Sequence, residues 1–226
     1  MKQRLAALDW MRGFVMVLMT IDHASLAFNG GRVALDSMFP VDPLSGAGWV
    51  PGSELAPLQF FVRWITHLCA PTFLFLSGTS LALSLQKRRG EDLSEREIDW
   101  HLFVRGAVVL GCEGVLTGLA GGRPLMLQVL YAIGMSLWCM IPLRRLGVRA
   151  LVGLGLGWFV VGEAITTALV PIGSVAPLLP RLLFAPALSK GVVVVYPLMG
   201  WLAMMMLGWG FGRWLLGLSV DARRAP

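Results

Sequence analysis

Residues 60–85 read FFVRWITHLCAPTFLFLSGTSLALSL, a stretch that is apolar over an unusual length. A helix that crosses a hydrocarbon core of roughly 30 Å needs about 20 such residues. The rest of the chain has the same character, because 56% of its 226 residues are hydrophobic, 14% are charged, and the mean hydropathy is +0.72. Ordinary soluble domains are less apolar and more charged. The sequence therefore predicts an integral membrane protein.

Five further apolar runs are separated by charged or Gly- and Pro-rich breaks. They predict an all-α fold, a single polytopic transmembrane helical bundle over residues 1–226 with about six membrane-spanning helices. The two longest gaps, 29–57 and 171–191, are rich in turn-forming residues and are predicted to be external loops that hold short re-entrant or interfacial pieces. The predicted spans are about 8–28, 58–85, 102–120, 125–142, 150–170 and 192–218.

Lysine and arginine are distributed unevenly between the two sides of the predicted bundle. Twelve of them lie in the N-terminal end, the 86–101 and 143–149 loops and the C-terminal end, and four lie on the opposite side. Cytoplasmic loops carry the excess of positive charge, so both termini are predicted to be cytoplasmic in the inner membrane. These flanking residues account for the net charge of +6, and no nucleic-acid partner is expected. Because Asp9 and Arg12 interrupt the first apolar run, it is expected to be an uncleaved helix rather than a signal peptide.

The cysteines and glycines of the spans carry no sign of cofactor chemistry. Three cysteines lie inside predicted spans without metal-ligand or disulfide spacing, so no metal site is expected. Three glycine pairs have the small-xxx-small spacing that lets helices approach closely in lipid. This spacing is compatible with a homo-oligomer as well as with packing inside one chain. The residues concerned are Cys69, Cys112, Cys139, Gly114 with Gly118, Gly153 with Gly157, and Gly208 with Gly212.

Ionisable residues inside a membrane are costly unless they face a partner or a water-filled cavity, so each one is a candidate functional residue. Toward the predicted cytoplasmic side these are Asp9 and Arg12 on the first span and Arg105 at the inner end of the third. Two structural alternatives remain open. Asp9 and Arg12 can form an interfacial ion pair at positions i and i+3, and Arg105 can extend to the lipid head groups.

A second group of ionisable residues lies toward the predicted outer side. His23 shares a helical face with Arg12, roughly 16 Å away along the axis, and Asp22 is its neighbour. Arg63 and His67 share a face of the second span. Pro71 cannot donate to the carbonyl of residue 67, so a kink is predicted there. The structural alternatives are a histidine satisfied within the bundle, an Arg63–Asp22 pair or a lipid contact of Arg63, and a His67 side chain that caps the freed carbonyl.

Several stretches resemble known membrane acyltransferases. Arg4-Leu5, Leu8-Asp9 and Arg12-Gly13 followed by Asp22-His23 resemble the first helix of the acyltransferase-3 group. Residues 61–84 resemble the second helix of bacterial proteins related to the catalytic domain of heparan-alpha-glucosaminide N-acetyltransferase. The stretches LFVRGAVVLGCEG, LYAIGMSLW and YPLMGWLAMMMLGWGFGR also resemble that family, in its usual order. The resemblance covers nearly the whole chain, which is expected to be shorter than usual members because these continue through further helices.

The resemblance implies transfer of an acyl group from cytoplasmic acyl-CoA, such as acetyl-CoA, to a sugar or glycoconjugate on the other side of the membrane. It implies that His23 occupies a first-helix position where members carry a catalytic Asn or His, and that Arg12 is the motif arginine. The paired arginines of the acyltransferase-3 group are reduced to Arg105, and an external-loop histidine of the lysosomal enzyme has no counterpart.

Acyl transfer from a thioester requires a base and positive charge or donors near the developing oxyanion. His23 is the expected base, and Asp22 or Glu113, near the middle of the third span, is expected to orient it. Arg63 and His67 are expected to face the acceptor or to stabilise charge. Binding of the CoA phosphates is assigned to the inner-side residues, since a forked guanidinium suits phosphate. These are Asp9, Arg12 and Arg105.

Two other functions fit the same residues. A small transporter could relay protons or bind a solute through its buried His, Asp and Glu side chains. Inverted internal symmetry would favour that function, and the sequence shows none. An inactive membrane assembly subunit could pack through its small-xxx-small faces, and a partner that supplies further helices would then copurify.

Overall fold

The computed structural model describes residues 6–28, 57–91, 93–119, 125–170, 177–189 and 191–221. These ranges are mostly helical, in agreement with the predicted helical membrane protein. Two compact units divide the chain, Met1–Phe73 and Leu74–Pro226. The predicted 29–57 loop lies almost wholly outside the described residues. The single-domain prediction and the number of six spans stay predictions.

The first unit contains the helices α1 (Ala6–Phe28) and α2 (Pro57–Thr66) and the start of α3 (Cys69–Arg89). Helix α1 occupies the first predicted span and packs against α2. Val15, Thr66 and Cys69 are buried, whereas most other side chains of α1 are exposed. The buried positions are few, so the packing of this unit depends on a small number of contacts.

The predicted second span, 58–85, is divided between α2 and α3 by a turn at His67 and Leu68. The amide of Leu68 bonds to the carbonyl of Ile65 at 3.2 Å, and the ladder resumes when Thr72 bonds to the carbonyl of Leu68 at 3.1 Å. Pro71 would have supplied the donor for the carbonyl of residue 67 but has no N–H. The predicted kink beside His67 is confirmed, and it takes the form of a complete interruption.

The second unit contains the remainder of α3, five further helices and three short strands. The helices are α4 (Glu95–Leu119), α5 (Val129–Leu143), α6 (Val148–Leu169), α7 (Leu178–Phe184) and α8 (Leu198–Asp221). The strands are β1 (Leu125–Leu127), β2 (Ala187–Ser189) and β3 (Val192–Val194), in the sheet order β1-β3-β2. Strand β3 pairs parallel to β1 and antiparallel to β2. The described part of the predicted 171–191 loop contains α7 and β2, and their re-entrant or interfacial position stays a prediction.

Three short strands interrupt the otherwise helical chain, which remains compatible with the predicted all-α class. The fourth and sixth predicted spans, 125–142 and 192–218, begin as strands, and their helices start at Val129 and Leu198. β-branched residues favour strand at 192–195, and Gly191 supplies the positive φ of 94° at the turn before β3. Pro197 then precedes α8, where its fixed φ suits a helix start. A strand of three residues is too short to show the alternation of apolar and polar residues by which a strand is recognised in a sequence.

The core of the second unit forms where α3, α4, α5, α6 and α8 meet. Its fully buried members include Leu74, Leu102, Leu137, Leu151 and Met205. The outer faces of α4 and α6 are also apolar but exposed, with Val108 60% and Val160 82% accessible. A large exposed apolar surface is typical of a protein that contacts lipid or a partner rather than water.

Three stretches of the described residues are long and apolar enough to cross a membrane: Phe60–Arg89, Glu95–Leu119 and Val148–Leu169. The first of these includes the turn between α2 and α3. The chain is therefore treated as an integral membrane protein. Its orientation stays a prediction.

Glycines bring α3 and α8 into close contact. A Cβ atom built on Gly208 would overlap the carbonyl of Phe75, and one on Gly212 would approach the carbonyl oxygen of Thr79 to 2.7 Å. The close packing predicted from this pair is confirmed. The pairs Gly114 with Gly118 and Gly153 with Gly157 differ, because a Cβ at any of them would meet no atom of the described structure within 4 Å.

Candidate active site

Asp22 is held at the junction of α1 and α2. The hydroxyl of Thr66 donates a hydrogen bond of 2.9 Å to Oδ1 of Asp22. Thr66 is buried and Asp22 half-buried, so this bond lies partly away from solvent. It fixes the carboxylate of α1 beside the turn that follows α2. Thr66 was not among the predicted site residues, because nothing in a sequence links positions 44 residues apart.

His23 has a defined tautomer. Its Nδ1 lies 2.8 Å from the carbonyl oxygen of Met19, one turn earlier in α1. A carbonyl can only accept, so Nδ1 carries the proton and donates it. When the imidazole is neutral, the lone pair is therefore on the other ring nitrogen, Nε2. The described part of the first unit shows no hydrogen bond from a carboxylate to this ring, and its orientation by Asp22 or Glu113 stays a prediction.

His23 lines an open groove of about 560 Å³ in the first unit. Met16, Met19, Phe28 and Phe73 form its apolar walls, and Thr20 adds a hydroxyl. The Thr20 hydroxyl donates to the carbonyl of Met16 at 3.0 Å. The groove thus combines an apolar lining with one titratable side chain, an arrangement typical of ligand sites.

His67 and Arg63 lie near the same junction. His67 occupies the turn between α2 and α3 and is exposed. It immediately follows Thr66 in the chain. The Asp22–Thr66 bond therefore connects α1 to the residue that precedes His67. Arg63 lies on α2, and its side chain is outside the part that the structure describes. The assignment of both residues to the acceptor side stays a prediction.

Asp9 and Arg12 form an ion pair one turn apart at the start of α1. Nη1 of Arg12 lies 3.5 Å from Oδ1 of Asp9, and the two side chains are 40% and 54% exposed. An exposed pair of this length contributes little stability. This contact matches the structural alternative given for the two residues and leaves the phosphate-binding role untested.

Glu113 has a structural role that the sequence did not reveal. Its carboxylate is buried and accepts hydrogen bonds from the amides of Gln128, at 2.8 Å, and Tyr131, at 3.1 Å. Gln128 is the N-cap residue of α5 and Tyr131 lies in its first turn, and the Gln128 side chain makes no capping hydrogen bond. Glu113 therefore caps α5 from a neighbouring helix, where a negative charge is also favoured by the helix dipole. Both of its oxygens are engaged in this way.

An arginine network joins the end of α5 to the start of α4. The buried Arg144 binds Oε2 of Glu95 at 2.6 Å and also Oδ1 of Asp99, and Arg145 binds Oδ2 of Asp99. Burial lowers the pKa of Arg144, but the hydrogen bonds with Asp99 and Glu95 outweigh this effect and raise the pKa above its usual value. Arg144 was predicted only as one of the flanking charges. Its side chain is instead buried and pairs with two carboxylates of α4.

Arg105, the third predicted phosphate-binding residue, lies on α4 one turn after His101 and is exposed. Within the described ranges no group of three or more His, Cys, Asp and Glu side chains lies close enough to hold a metal ion. The expectation that no metal takes part stays a prediction.

Comparison with known proteins places most of the chain in one family. Neither the curated proteins nor the solved structures include a significant match. The model of one family, described as heparan-alpha-glucosaminide N-acetyltransferase, catalytic, matches residues 50–225. That range contains α2 through α8, whereas α1 with His23 precedes it. The match confirms the resemblance found in the sequence, and the chain belongs to the heparan-alpha-glucosaminide N-acetyltransferase catalytic-domain family.

Proposed function

We propose that the protein is a membrane acetyltransferase that moves an acetyl group from cytoplasmic acetyl-CoA to an amine or hydroxyl of a sugar or glycoconjugate on the other side of the inner membrane. Membership of the family supports acetyl transfer. The observation that carries the assignment of chemistry to this chain is His23, which lines the groove with its Nδ1 bonded to the Met19 carbonyl. A neutral imidazole with an available Nε2 is suited to general-base catalysis.

In the proposed reaction Nε2 of His23 takes the proton from the acceptor amine or hydroxyl as that group attacks the thioester carbonyl. A bond forms between the acceptor atom and the acetyl carbon. The carbon–sulfur bond then breaks, and the protonated His23 returns its proton to the departing thiolate, so the products are the acetylated acceptor and CoA. The bond from Nδ1 to Met19 keeps the ring in the tautomer that this cycle requires.

The remaining roles follow from where the groups lie along the chain. Asp22, fixed by Thr66, places a negative charge next in sequence to the ring that becomes positive. Arg63 and His67 are proposed to contact the acceptor or the developing oxyanion. The donor phosphates are assigned to Asp9, Arg12 and Arg105, which lie in the first halves of α1 and α4. The arginines would be the direct ligands. Glu113 is assigned to the capping of α5 rather than to the orientation of His23.

The test compares His23→Ala with Thr20→Ala, a matched change on the same wall of the groove. Each protein is placed in lipid nanodiscs with labelled acetyl-CoA and a glucosamine acceptor. A positioned general base contributes typically 10²–10⁴-fold, so His23→Ala is expected to lower kcat by about that factor. Binding of acetyl-CoA should change less than about twofold, because His23 serves the acceptor side.

Thr20→Ala should retain the rate within a few-fold. Full acetyl transfer by folded His23→Ala protein would overturn the role of this histidine. Donor binding without any transfer by the wild-type protein would instead favour an inactive assembly subunit.

A further inference from the structure

Arg88 and His101 meet where α3 ends and α4 begins. Nη2 of Arg88 lies 3.1 Å from Nε2 of His101. A guanidinium has donors only, so Arg88 donates and His101 accepts through a neutral ring. Both side chains are half-buried, which holds the guanidinium in place more firmly than full exposure would.

Arg105 adds a second positive charge beside the same ring. It lies four residues after His101 on α4, and residues at this spacing are neighbours on a helix surface. The guanidinium groups of Arg88 and Arg105 both act electrostatically on His101. Two cations therefore flank one neutral imidazole, and the Arg105 side chain is exposed.

The carboxylates described at this end have other partners and do not neutralise Arg88. Among the described residues Arg88 has one side-chain partner, His101. The carboxylate pairings are Glu91 with Lys87, Glu95 with Arg89 and Arg144, Glu97 with Ser94, and Asp99 with Arg144 and Arg145. Two guanidinium groups that both act on one ring create a positive potential there, which favours an anion.

We propose that Arg88 and Arg105 bind a phosphate group and that His101 is a positioning residue that holds Arg88. Guanidinium groups recognise phosphate oxygens through charge-assisted hydrogen bonds. Two sources share this chemistry on the predicted cytoplasmic side: the 3′-phosphate of the CoA donor and the head group of an anionic lipid. The first source rests on the proposed function, whereas the second does not.

The first arm of the test measures the dissociation constants of CoA and of dephospho-CoA, which lacks the 3′-phosphate, by calorimetry in phosphatidylcholine nanodiscs. The wild-type protein is expected to bind CoA about tenfold more tightly than dephospho-CoA. This ratio should fall to about 1 in Arg88→Gln and in Arg105→Gln. Lys87→Gln, which removes the same charge from the adjacent position, should keep the ratio.

The role of His101 is tested by the same ratio. His101→Ala should lower it, and His101→Gln, whose amide oxygen can accept the bond from Arg88, should restore part of it. A purely structural histidine would change the stability without changing the preference for CoA. An unaltered ratio in folded His101→Ala protein would overturn the positioning role.

The second arm measures retention of phosphatidic acid by mass spectrometry after exchange into phosphatidylcholine nanodiscs. Loss of phosphatidic acid in Arg88→Gln, with the CoA ratio unchanged, would support the site and identify the head group as its ligand. If Arg88→Gln alters neither the ratio nor the retention, the proposal is wrong. It is also wrong if Lys87→Gln causes the same losses, because net charge alone would then explain them.

The outcomes separate this site from the proposed function. Absence of CoA binding by the wild-type protein would count against the proposed function, and retention of phosphatidic acid would still test the site. Active acetyl transfer with both readouts unchanged in Arg88→Gln would remove the site and leave the function intact.

Discussion

At the scale of single residues, His23, Asp22 and Glu113 differ in how far the sequence could predict them. Ionisable groups in an apolar run are visible in the sequence, because each one is costly in a membrane. Their partners are not visible, since Thr66 and Gln128 reach Asp22 and Glu113 only through folding. For His23 the structure adds a backbone partner, the Met19 carbonyl, that the sequence did not indicate, and its predicted carboxylate partner stays a prediction.

The capping role of Glu113 predicts a loss of stability when the carboxylate is removed. Glu113→Ala would leave the half-buried amide of Gln128 and the buried amide of Tyr131 without acceptors, at a cost of about 1–3 kcal/mol for a fully buried group and less for a half-buried one. Glu113→Gln retains one acceptor oxygen and should lose less. Thermal unfolding in nanodiscs measures both variants. An unchanged midpoint for Glu113→Ala, together with lost acetyl transfer, would indicate a catalytic carboxylate instead.

At the scale of the elements, long runs and their breaks were predictable, whereas short strands were not. The interruption between α2 and α3 follows from the missing donor of Pro71. The start of α4 is a capping box, in which the amide of Ser94 donates to Glu97 at 2.8 Å and the amide of Glu97 donates to the Ser94 hydroxyl at 3.3 Å. Strands β1 and β3 depend on each other's backbone groups, so neither segment alone indicates strand.

The contact between α3 and α8 predicts opposite effects for two glycine substitutions in α8. Gly208→Ala should destabilise the protein by about 1–3 kcal/mol, because the new methyl group overlaps the Phe75 carbonyl and forces the helices apart. Gly217→Ala is the matched control, since its methyl group would meet no described atom within 4 Å and alanine favours helix by about 1 kcal/mol. Unfolding midpoints in nanodiscs compare the two. Equal midpoints would contradict the close packing of these helices.

At the scale of the whole molecule, charge and apolar surface follow the pattern of a membrane protein. The ion-paired end of the second unit contains the C-terminal turns of α3 and α5 and the first turn of α4. It coincides with the basic loops that predict the cytoplasmic side. The outer faces of α4 and α6 are apolar, as contact with lipid requires. Composition was sufficient to predict this pattern, because it depends on sums over many residues rather than on particular contacts.

The central claim, acetyl transfer across the membrane, is tested most directly in sealed proteoliposomes. Labelled acetyl-CoA is supplied outside the vesicles and a glucosamine acceptor is enclosed inside. Labelled acceptor is expected inside intact vesicles, made by the molecules whose basic loops face outward, and about 10²–10⁴-fold less is expected with His23→Ala. Labelled acceptor that forms only when donor and acceptor share one compartment, or equally with His23→Ala, would contradict it.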